Sequence, residues 1–441
     1  MQIQTSGLND QQTDAIRHLI SFISDPETRF ITIQGFAGTG KTYMIQRFLQ
    51  GLLKAYPNMR VAVSAPTNSA VAVLKEFGHK IDLWLPSATI HSLLGLVLSS
   101  DGEERSVKRK TKGDFDQYHL VLVDECSMLN RQVIRELVSR THRRMKVIFM
   151  GDIYQLNPVN ESVSESFTLG RQLVLSKVMR QEEGHLLSLI ADVRQQCIDG
   201  SRPARVVTAL DESEDGVHLV NEMDFKNLLM AQFDTQEFKE NPNFCRALAW
   251  TNREVLRLNK MVRIHLFGLT APQFLANEPV TVLNPVYDYE ENLMFATNEQ
   301  CMISAVKEDI FTDYLDNRER RYKIWNITLE SMDGKTSYPV MAIHKDSEKL
   351  YKRRLAELAE SARNRTIPWL RFWQFKEMFC DVRHIYANTV HRAQGQTIEN
   401  VFVNVRDLRQ NGDKDELRRL FYVATSRASK NLVVNHDNLV A

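Results

Sequence analysis

The chain is poor in cysteine. Its 441 residues hold five, Cys126, Cys197, Cys245, Cys301 and Cys380, widely scattered and with no C-x-x-C pair. That argues against a disulfide framework or a thiolate zinc site, and for a reducing compartment in which these residues are small buried apolar groups. Neither sign of charge is in excess: 56 Lys and Arg stand against 55 Asp and Glu, a net charge of +1. A globally basic nucleic-acid coat and an acidic tail are excluded. A local basic groove is not, because attraction depends on where the charges sit. No apolar run approaches the roughly 18 residues of a membrane-spanning helix. The opening Met1-Gln2-Ile3-Gln4-Thr5-Ser6-Gly7 lacks the basic and apolar blocks of a secretory signal, so a cytoplasmic protein is expected. Internal repeats and low-complexity segments are not apparent. Nor is there a second cluster of acids of the kind a fused nuclease would need.

What is present is an alternation. Residues 30–33, 61–63, 119–123 and 146–150 are short apolar runs that read as buried parallel strands, with helices expected over 41–55, 68–77 and 130–140. After about residue 182 the pattern resumes, with a helix near 184–198 and strands near 217–220, 245–250, 400–405 and 431–435. Between about 270 and 345 the texture changes to β-type runs with turn signals such as Asp333-Gly334, which predict an antiparallel insertion, read as a small β-barrel. A helix near 346–364 and the aromatic stretch 368–373 follow. The length allows two to four domains, and strand–helix alternation makes the class α/β, with ligands held at the carboxyl ends of parallel strands.

Gly35-Phe36-Ala37-Gly38-Thr39-Gly40-Lys41-Thr42 fits G-x-x-x-x-G-K-[ST] between a strand and a helix, the context the pattern requires. Glycines let main-chain N–H groups approach phosphates, and a helix N-terminus adds a favourable dipole. Lys41 supplies a cation to the β/γ oxygens of ATP, and the Thr42 hydroxyl can ligate Mg²⁺. Asp124-Glu125 closes the strand at 119–123. Beside such a loop, Asp124 would hold the Mg²⁺ shell and Glu125 would polarise the attacking water. Gln155 follows the next strand, where an amide can sense the γ-phosphate.

As an ordered set these residues resemble superfamily 1 helicases. Leu8-Asn9-Asp10-Gln11-Gln12 resembles the adenine-reading motif, with Gln12 the reader. Ala65-Pro66-Thr67-Asn68-Ser69-Ala70 and Thr89-Ile90-His91-Ser92-Leu93 resemble strand-contacting motifs, and Thr-x-His is typical of the 5′-to-3′ branch that includes RecD-like and Pif1-like enzymes. Val178-Met179-Arg180-Gln181 resembles the motif that brings an arginine from the second motor domain. Trp250-Thr251-Asn252 with Leu258-Asn259 resembles a further motif of that domain, and Thr389 to Thr397, including His391, Gln394 and Gly395, resembles the one coupling DNA to nucleotide. Phe421 to Ala428 resembles the last motif, with Arg427 a second arginine finger and Ser426 where Thr is usual. Within that branch, residues 367–376 are similar to the Dda-type helicases of large tailed bacteriophages.

The resemblance implies two RecA-like P-loop motor domains. The first would be 1–178, with a β-hairpin insertion at about 96–117. The second would be 179–268 plus 384–441, with a small β-barrel and helices inserted at 269–383. It implies catalytic roles for Lys41, Asp124, Glu125, Gln155, Arg180 and Arg427. Nucleotide contacts would come from Gln12, Gly35, Ala37, Gly38, Thr39, Gly40, Lys41, Thr42, Gln155, Arg180, Gly395 and Arg427, with Mg²⁺ on Thr42 and Asp124. DNA contacts would come from Pro66, Thr67, Thr89, His91, Asn252, Thr389, His391 and Gln394. The implied activity is ATP-dependent, 5′-to-3′ DNA unwinding in phage replication or recombination. The partners would be single-stranded and forked DNA, with a single-strand-binding protein alongside a monomeric motor in the host cytoplasm. The alternative is a translocase that displaces proteins with little unwinding.

Such helicases project a strand-separating hairpin where residues 98–115 fall. Here the interior has no aromatic but carries Arg105, Lys108, Arg109, Lys110 and Lys112, so splitting by backbone and charge is expected, a solvated charged loop being the plain alternative. Trp369, Phe372 and Trp373 could stack on bases, though their spacing better suits a packed helix face. Lys349, Lys352, Arg353, Arg354, Arg363 and Arg365 read as a solvated helix face, with a duplex contact as the alternative.

Overall fold

Three sheets organise the chain in the computed structural model, which describes residues 3, 5–36, 38–80, 83–98, 107–109, 113–158, 161–177, 184–200, 206–290, 292–314 and 319–436. The first has six parallel strands in the spatial order Ser87–Thr89, Val61–Ala65, Leu120–Val123, Lys146–Gly151, Phe30–Gly35, Arg171–Leu175. Leu120–Val123 and Lys146–Gly151 are buried along their whole length, as strands covered by helices on both faces must be. One apolar cluster, including Ile16, Phe48 and Leu52, fills one side. Another, including Phe115, Val133 and Leu137, fills the other. This order sets the phosphate-loop strand beside the strand that leads to Gln155, with the Asp124 strand next again.

The second sheet runs Ala387–Thr389, Cys245–Ala249, Ile398–Val403, Ala428–Val434, Gly216–Leu219, Ala209–Leu210, parallel except for the last pair. Helices His185–Asp199 and Lys414–Ser426 pack on one face around Val193, Phe421 and Tyr422. Glu222–Phe233 and Asn252–Phe267 pack on the other. The expected strands near 217–220, 245–250, 400–405 and 431–435 are all there.

The third sheet is antiparallel, in the order Ser337–Ile343, Arg320–Ser331, Gln300–Asp313, Pro279–Val282, Val382–His384. It is not the closed barrel expected from sequence. Among the described residues its two edges meet at one isolated bridge, Met341 to Phe379, the latter just before Val382–His384, where the Cys380 N–H donates to the Met341 carbonyl at 2.7 Å. The reason is length: the central hairpin has strands of 14 and 12 residues, whereas Pro279–Val282 and Val382–His384 have four and three. Short partners cannot carry a ladder round to the far edge. Helices Glu348–Arg363 and Trp369–Glu377 cover this hairpin. Phe372 and Trp373 are buried there with Tyr322, Phe375 and Phe379, so they are core, as their spacing suggested. The basic stretch divides. Arg354 is buried, donating to Asp313 at 3.1 Å, and so is no part of a solvated face. Lys349, Lys352, Arg353, Arg363 and Arg365 are exposed, and Lys352 pairs with Glu348 one helical turn away.

Leu96–Leu98 and Val107–Arg109 pair as an antiparallel hairpin at the expected insertion. Arg105, Lys110 and Lys112 lie outside the described residues. All five cysteines are free thiols, buried or half-buried.

Candidate nucleotide and nucleic-acid site

The phosphate loop is built on left-handed turns. Gly38 and Gly40 adopt φ of +81° and +71°, which side chains disfavour, and Gly40 opens the helix Lys41–Ala55. The Lys41 ammonium donates to the carbonyls of Gly35 and Phe36 at 2.5 and 3.0 Å, which holds it over the loop. Thr42 follows in the first helical turn. Ala37 lies outside the described residues. Gln12 departs from expectation. It is 1% exposed, its amide donates to the carbonyls of Thr39 and Gly40, and its oxygen accepts from the Asn9 N–H in a capping box. With both ends committed, Gln12 braces the phosphate loop from behind rather than presenting a free edge to adenine. Gln11 is likewise bonded to Ser176 and Lys177.

Asp124 and Glu125 sit at the end of their strand, and Glu125 takes φ of +49°, rare for a side-chain-bearing residue and costly without compensation. The Asp124 carboxylate accepts from the Glu125 N–H at 2.8 Å. Burial pushes the Glu125 carboxyl up to about 7, the Asp124 charge adds to the rise, and Arg427 and Lys41 oppose it. Burial likewise raises Asp124, against the Glu125 amide and Lys41. A buried acid pair of this kind is poised for proton and cation work. Among the described residues no group of three or more His, Cys, Asp or Glu could hold a metal alone. That fits Mg²⁺, which takes one or two protein oxygens and completes its shell with phosphate and water. Thr42 and Asp124 suit it.

The second sheet closes over this loop. Arg427 is 7% exposed, and its guanidinium donates to the carbonyls of Val423 (3.2 Å) and Gln396 (3.1 Å) and to the Ser426 hydroxyl (3.0 Å). The hydroxyl at 426 therefore holds the arginine. Gly395 has φ of +79°, and a Cβ there would stand 4.0 Å from the Glu125 carboxylate, so the chain passes close to the acid pair. Gln394 was expected on DNA. Instead it is 3% exposed, and its amide donates to Gln155 Oε1 at 2.9 Å and to Ser127 Oγ at 3.4 Å. The short helix Val390–Ala393 ends just before it and turns it inward, into the cleft. Arg180 lies outside the described residues.

Sequence reasoning missed four cleft residues. Tyr422 donates to Asp152 at 2.6 Å, and Arg419 donates to the carbonyls of Ile153 and Gln155 at 2.5 and 2.8 Å. Arg194 lies over the Phe36 ring of the phosphate loop, 4.2 Å from its centroid, a distance at which a cation is attracted to the ring face. Tyr422 lies inside the last motif and Asp152 three residues before Gln155, so a signal existed for the first and only a neighbour for the second. Arg194 and Arg419 had none, being single charges on amphipathic helices.

The expected strand contacts fall at the carboxyl ends of one edge pair in each sheet. Pro66 and Thr67 follow Val61–Ala65, and Thr89 ends Ser87–Thr89. Asn252 follows Cys245–Ala249, and Thr389 ends Ala387–Thr389. The two sets share a register: Ala65 stands opposite Thr89, and Ala249 opposite Thr389. The local sequences match as well, Ala65-Pro66-Thr67-Asn68 with Ala249-Trp250-Thr251-Asn252, and Thr89-Ile90-His91 with Thr389-Val390-His391. This corrects the reading of no repeat; the repeated elements are three or four residues long and far apart, so only the sheets align them. The sets differ in exposure. Thr89 and His91 are half-buried, Asn252 and His391 are exposed, and Thr389 is buried. Burial holds His91 below the usual imidazole range, which leaves it neutral and able to donate from one ring nitrogen. His391 Nε2 stands 3.6 Å from Glu416. Asn252 accepts from Arg383 at 3.0 Å. Asp407, 4% exposed, accepts from the Trp250 and Thr251 N–H groups and from the Thr251 hydroxyl at 2.7–2.8 Å, which fixes this turn.

Residues 7–221 match the family model described as an AAA domain, and residues 384–435 match the UvrD-like helicase C-terminal domain. The chain is similar to the ATP-dependent DNA helicase dda of Enterobacteria phage T4, 25% identical over 95% of this chain and 97% of that one. It is also similar to the RecBCD enzyme subunit RecD of Buchnera aphidicola subsp. Schizaphis graminum, 29% identical over 34% of this chain and 28% of that one. Its fold is shared by the Pif1 helicase from Bacteroides in complex with ADP-AlF3 and ssDNA, at a TM-score of 0.52 and 16% identity, covering 98% of this chain and 94% of that one. From the phosphate loop, the acid pair and the arginine of the facing sheet to the relatives that span its length, the chain belongs to the superfamily 1 helicases.

Proposed function

We propose that this protein is an ATP-driven DNA helicase that moves 5′ to 3′ along a single strand and opens duplex ahead of it. The observation that carries the reading is the paired grip: two sheets present the same short polar turns in the same register, with a nucleotide cleft between them. Such side chains suit phosphate contacts, which position a strand without reading its sequence. Hydrolysis needs charge neutralisation and positioning. Lys41 serves the β/γ oxygens, Glu125 takes the proton of the attacking water, and Arg427 supplies a cation from the facing sheet, with Arg180 a second by the resemblance of its motif. Mg²⁺ held by Thr42 and Asp124 would neutralise phosphate charge. When the γ-phosphate leaves, the charge that Arg427 and Gln155 hold is gone and the cleft opens. If Thr67 and Thr89 hold while Asn252 and His391 release, and then the reverse, each cycle advances the strand. Direction rests on the Thr-x-His resemblance. The phage setting rests on the likeness to the enzyme of phage T4.

The test is a forked duplex with one labelled strand. ATP-dependent release from a 5′ tail, and none from a 3′ tail, is expected. ATPase stimulated by single-stranded DNA without any release would favour a translocase that strips proteins. ATPase indifferent to DNA would refute the motor.

A further inference from the structure

Three side chains of the second sheet's lobe end on one four-residue segment of the first. Tyr422 reaches the Asp152 carboxylate, Arg419 the carbonyls of Ile153 and Gln155, and Gln394 the Gln155 side chain. Asp152, Gln155, Gln394 and Tyr422 are all buried. The segment 152–155 leaves the strand beside the phosphate loop and ends in the residue placed to sense the γ-phosphate. The helix that grips it, Lys414–Ser426, ends at Arg427. Arg419 and Tyr422 are three apart and so share a face. At 1.5 Å rise per residue they lie roughly 12 and 8 Å along the axis from the finger, and over so short a span a helix is a stiff rod. Fixing these two points therefore fixes where Arg427 stands. The two anchors differ. Arg419 holds main-chain carbonyls, so it fixes the backbone of the sensing segment whatever its side chains do. Tyr422 reads one carboxylate, which burial pushes up against the opposing pull of Lys41 and of the Tyr422 hydroxyl itself.

A clasp built only for stability would not need a buried acid at a cleft, since apolar packing of similar volume serves as well or better. We propose, building on the motor reading above, that Tyr422 and Arg419 are positioning residues: they dock the finger helix onto the sensing segment, so that Arg427 meets the transferring phosphate only when residues 152–155 are correctly seated.

Tyr422→Phe keeps the ring and its packing and removes one hydroxyl. In the full chain, kcat of the single-strand-stimulated ATPase should fall about tenfold, or ~1.4 kcal/mol. KM for ATP and affinity for an oligo-dT strand should stay within about twofold, because the contact acts on the finger and not on ground-state binding. Asp152→Asn should lose a similar factor, and the double variant should be no worse than the worse single, since both break one bond. Arg419→Ala should show the same split between kcat and KM. A Tyr422→Phe enzyme with unchanged kcat would overturn the proposal, and so would single losses that multiply in the double variant. If the unmodified protein shows no stimulation by DNA, the motor reading fails by itself. The dock is then read in the DNA-free ATPase, where the same non-additivity supports it and simple multiplication overturns it.

Discussion

Asp407 offers the sharpest separation of positioning from contact. It lies in the short helix Val405–Leu408, after the strand Ile398–Val403, and touches no expected strand-binding surface itself. Its carboxylate is the shared acceptor for two main-chain N–H groups and one hydroxyl in the turn that presents Asn252. Removing it in Asp407→Ala strands the Trp250 and Thr251 N–H groups, while the hydroxyl can turn elsewhere. A buried unsatisfied donor costs about 1–3 kcal/mol, so the loss of folding stability should be about 2–6 kcal/mol. Asp407→Asn keeps one oxygen and sets an amide against a donor, for about half of that. The turn should then loosen, and affinity for a labelled oligo-dT strand should drop about tenfold, with KM for ATP unchanged, because the phosphate loop is on the other sheet. Urea unfolding gives the first quantity and fluorescence anisotropy the second. An Asp407→Asn protein with full strand affinity and a stability change under about 0.5 kcal/mol would refute the reasoning.

Glu125→Gln should lower ATP turnover by roughly 10²–10⁴, the usual worth of a positioned base, with nucleotide binding retained; turnover within tenfold of normal would remove Glu125 from the mechanism. Arg427→Ala should lose turnover and keep ATP binding, since a finger acts on the transition state; collapsed affinity with normal saturated turnover would assign it to binding. His384, half-buried and beside Arg263, has its imidazole pushed down by desolvation to about 3, whereas the unfolded chain titrates near 6.5. Its neutral form is the one folded, so this stability is complete above pH 6.5 and is lost as pH falls from 6.5 towards 3, about 2 kcal/mol by pH 5. His384→Gln should flatten that slope in melting curves; an unchanged slope would exclude the histidine. Replacing Arg105, Lys108, Arg109, Lys110 and Lys112 by Ser should reduce duplex unwinding more than strand-stimulated ATPase, and equal losses would make the segment a general DNA contact.

Much of this protein was legible without coordinates. Local chemistry wrote the phosphate loop, since G-x-x-x-x-G-K-T needs left-handed glycines wherever it occurs. The buried strands announced themselves as unbroken apolar runs, and the aromatic stretch 368–373 showed core periodicity. The acid pair was readable because it closes a strand. What the chain order could not say was which distant groups meet. Gln394 looked like a strand contact and Gln12 like a base reader, because a side-chain amide suits either role; burial and partners alone turned one into the cleft and the other beneath the loop. Arg354 looked solvated until Asp313 was beside it. The barrel was expected from short β-type runs and turn signals, yet closure depends on relative strand lengths across a sheet. The repeated grip emerges only when two parallel sheets set Ala65 opposite Thr89 and Ala249 opposite Thr389. Periodicity and turn chemistry act over a few residues and survive in one dimension. Burial, charge pairing and register join residues hundreds of positions apart, and only packing decides them.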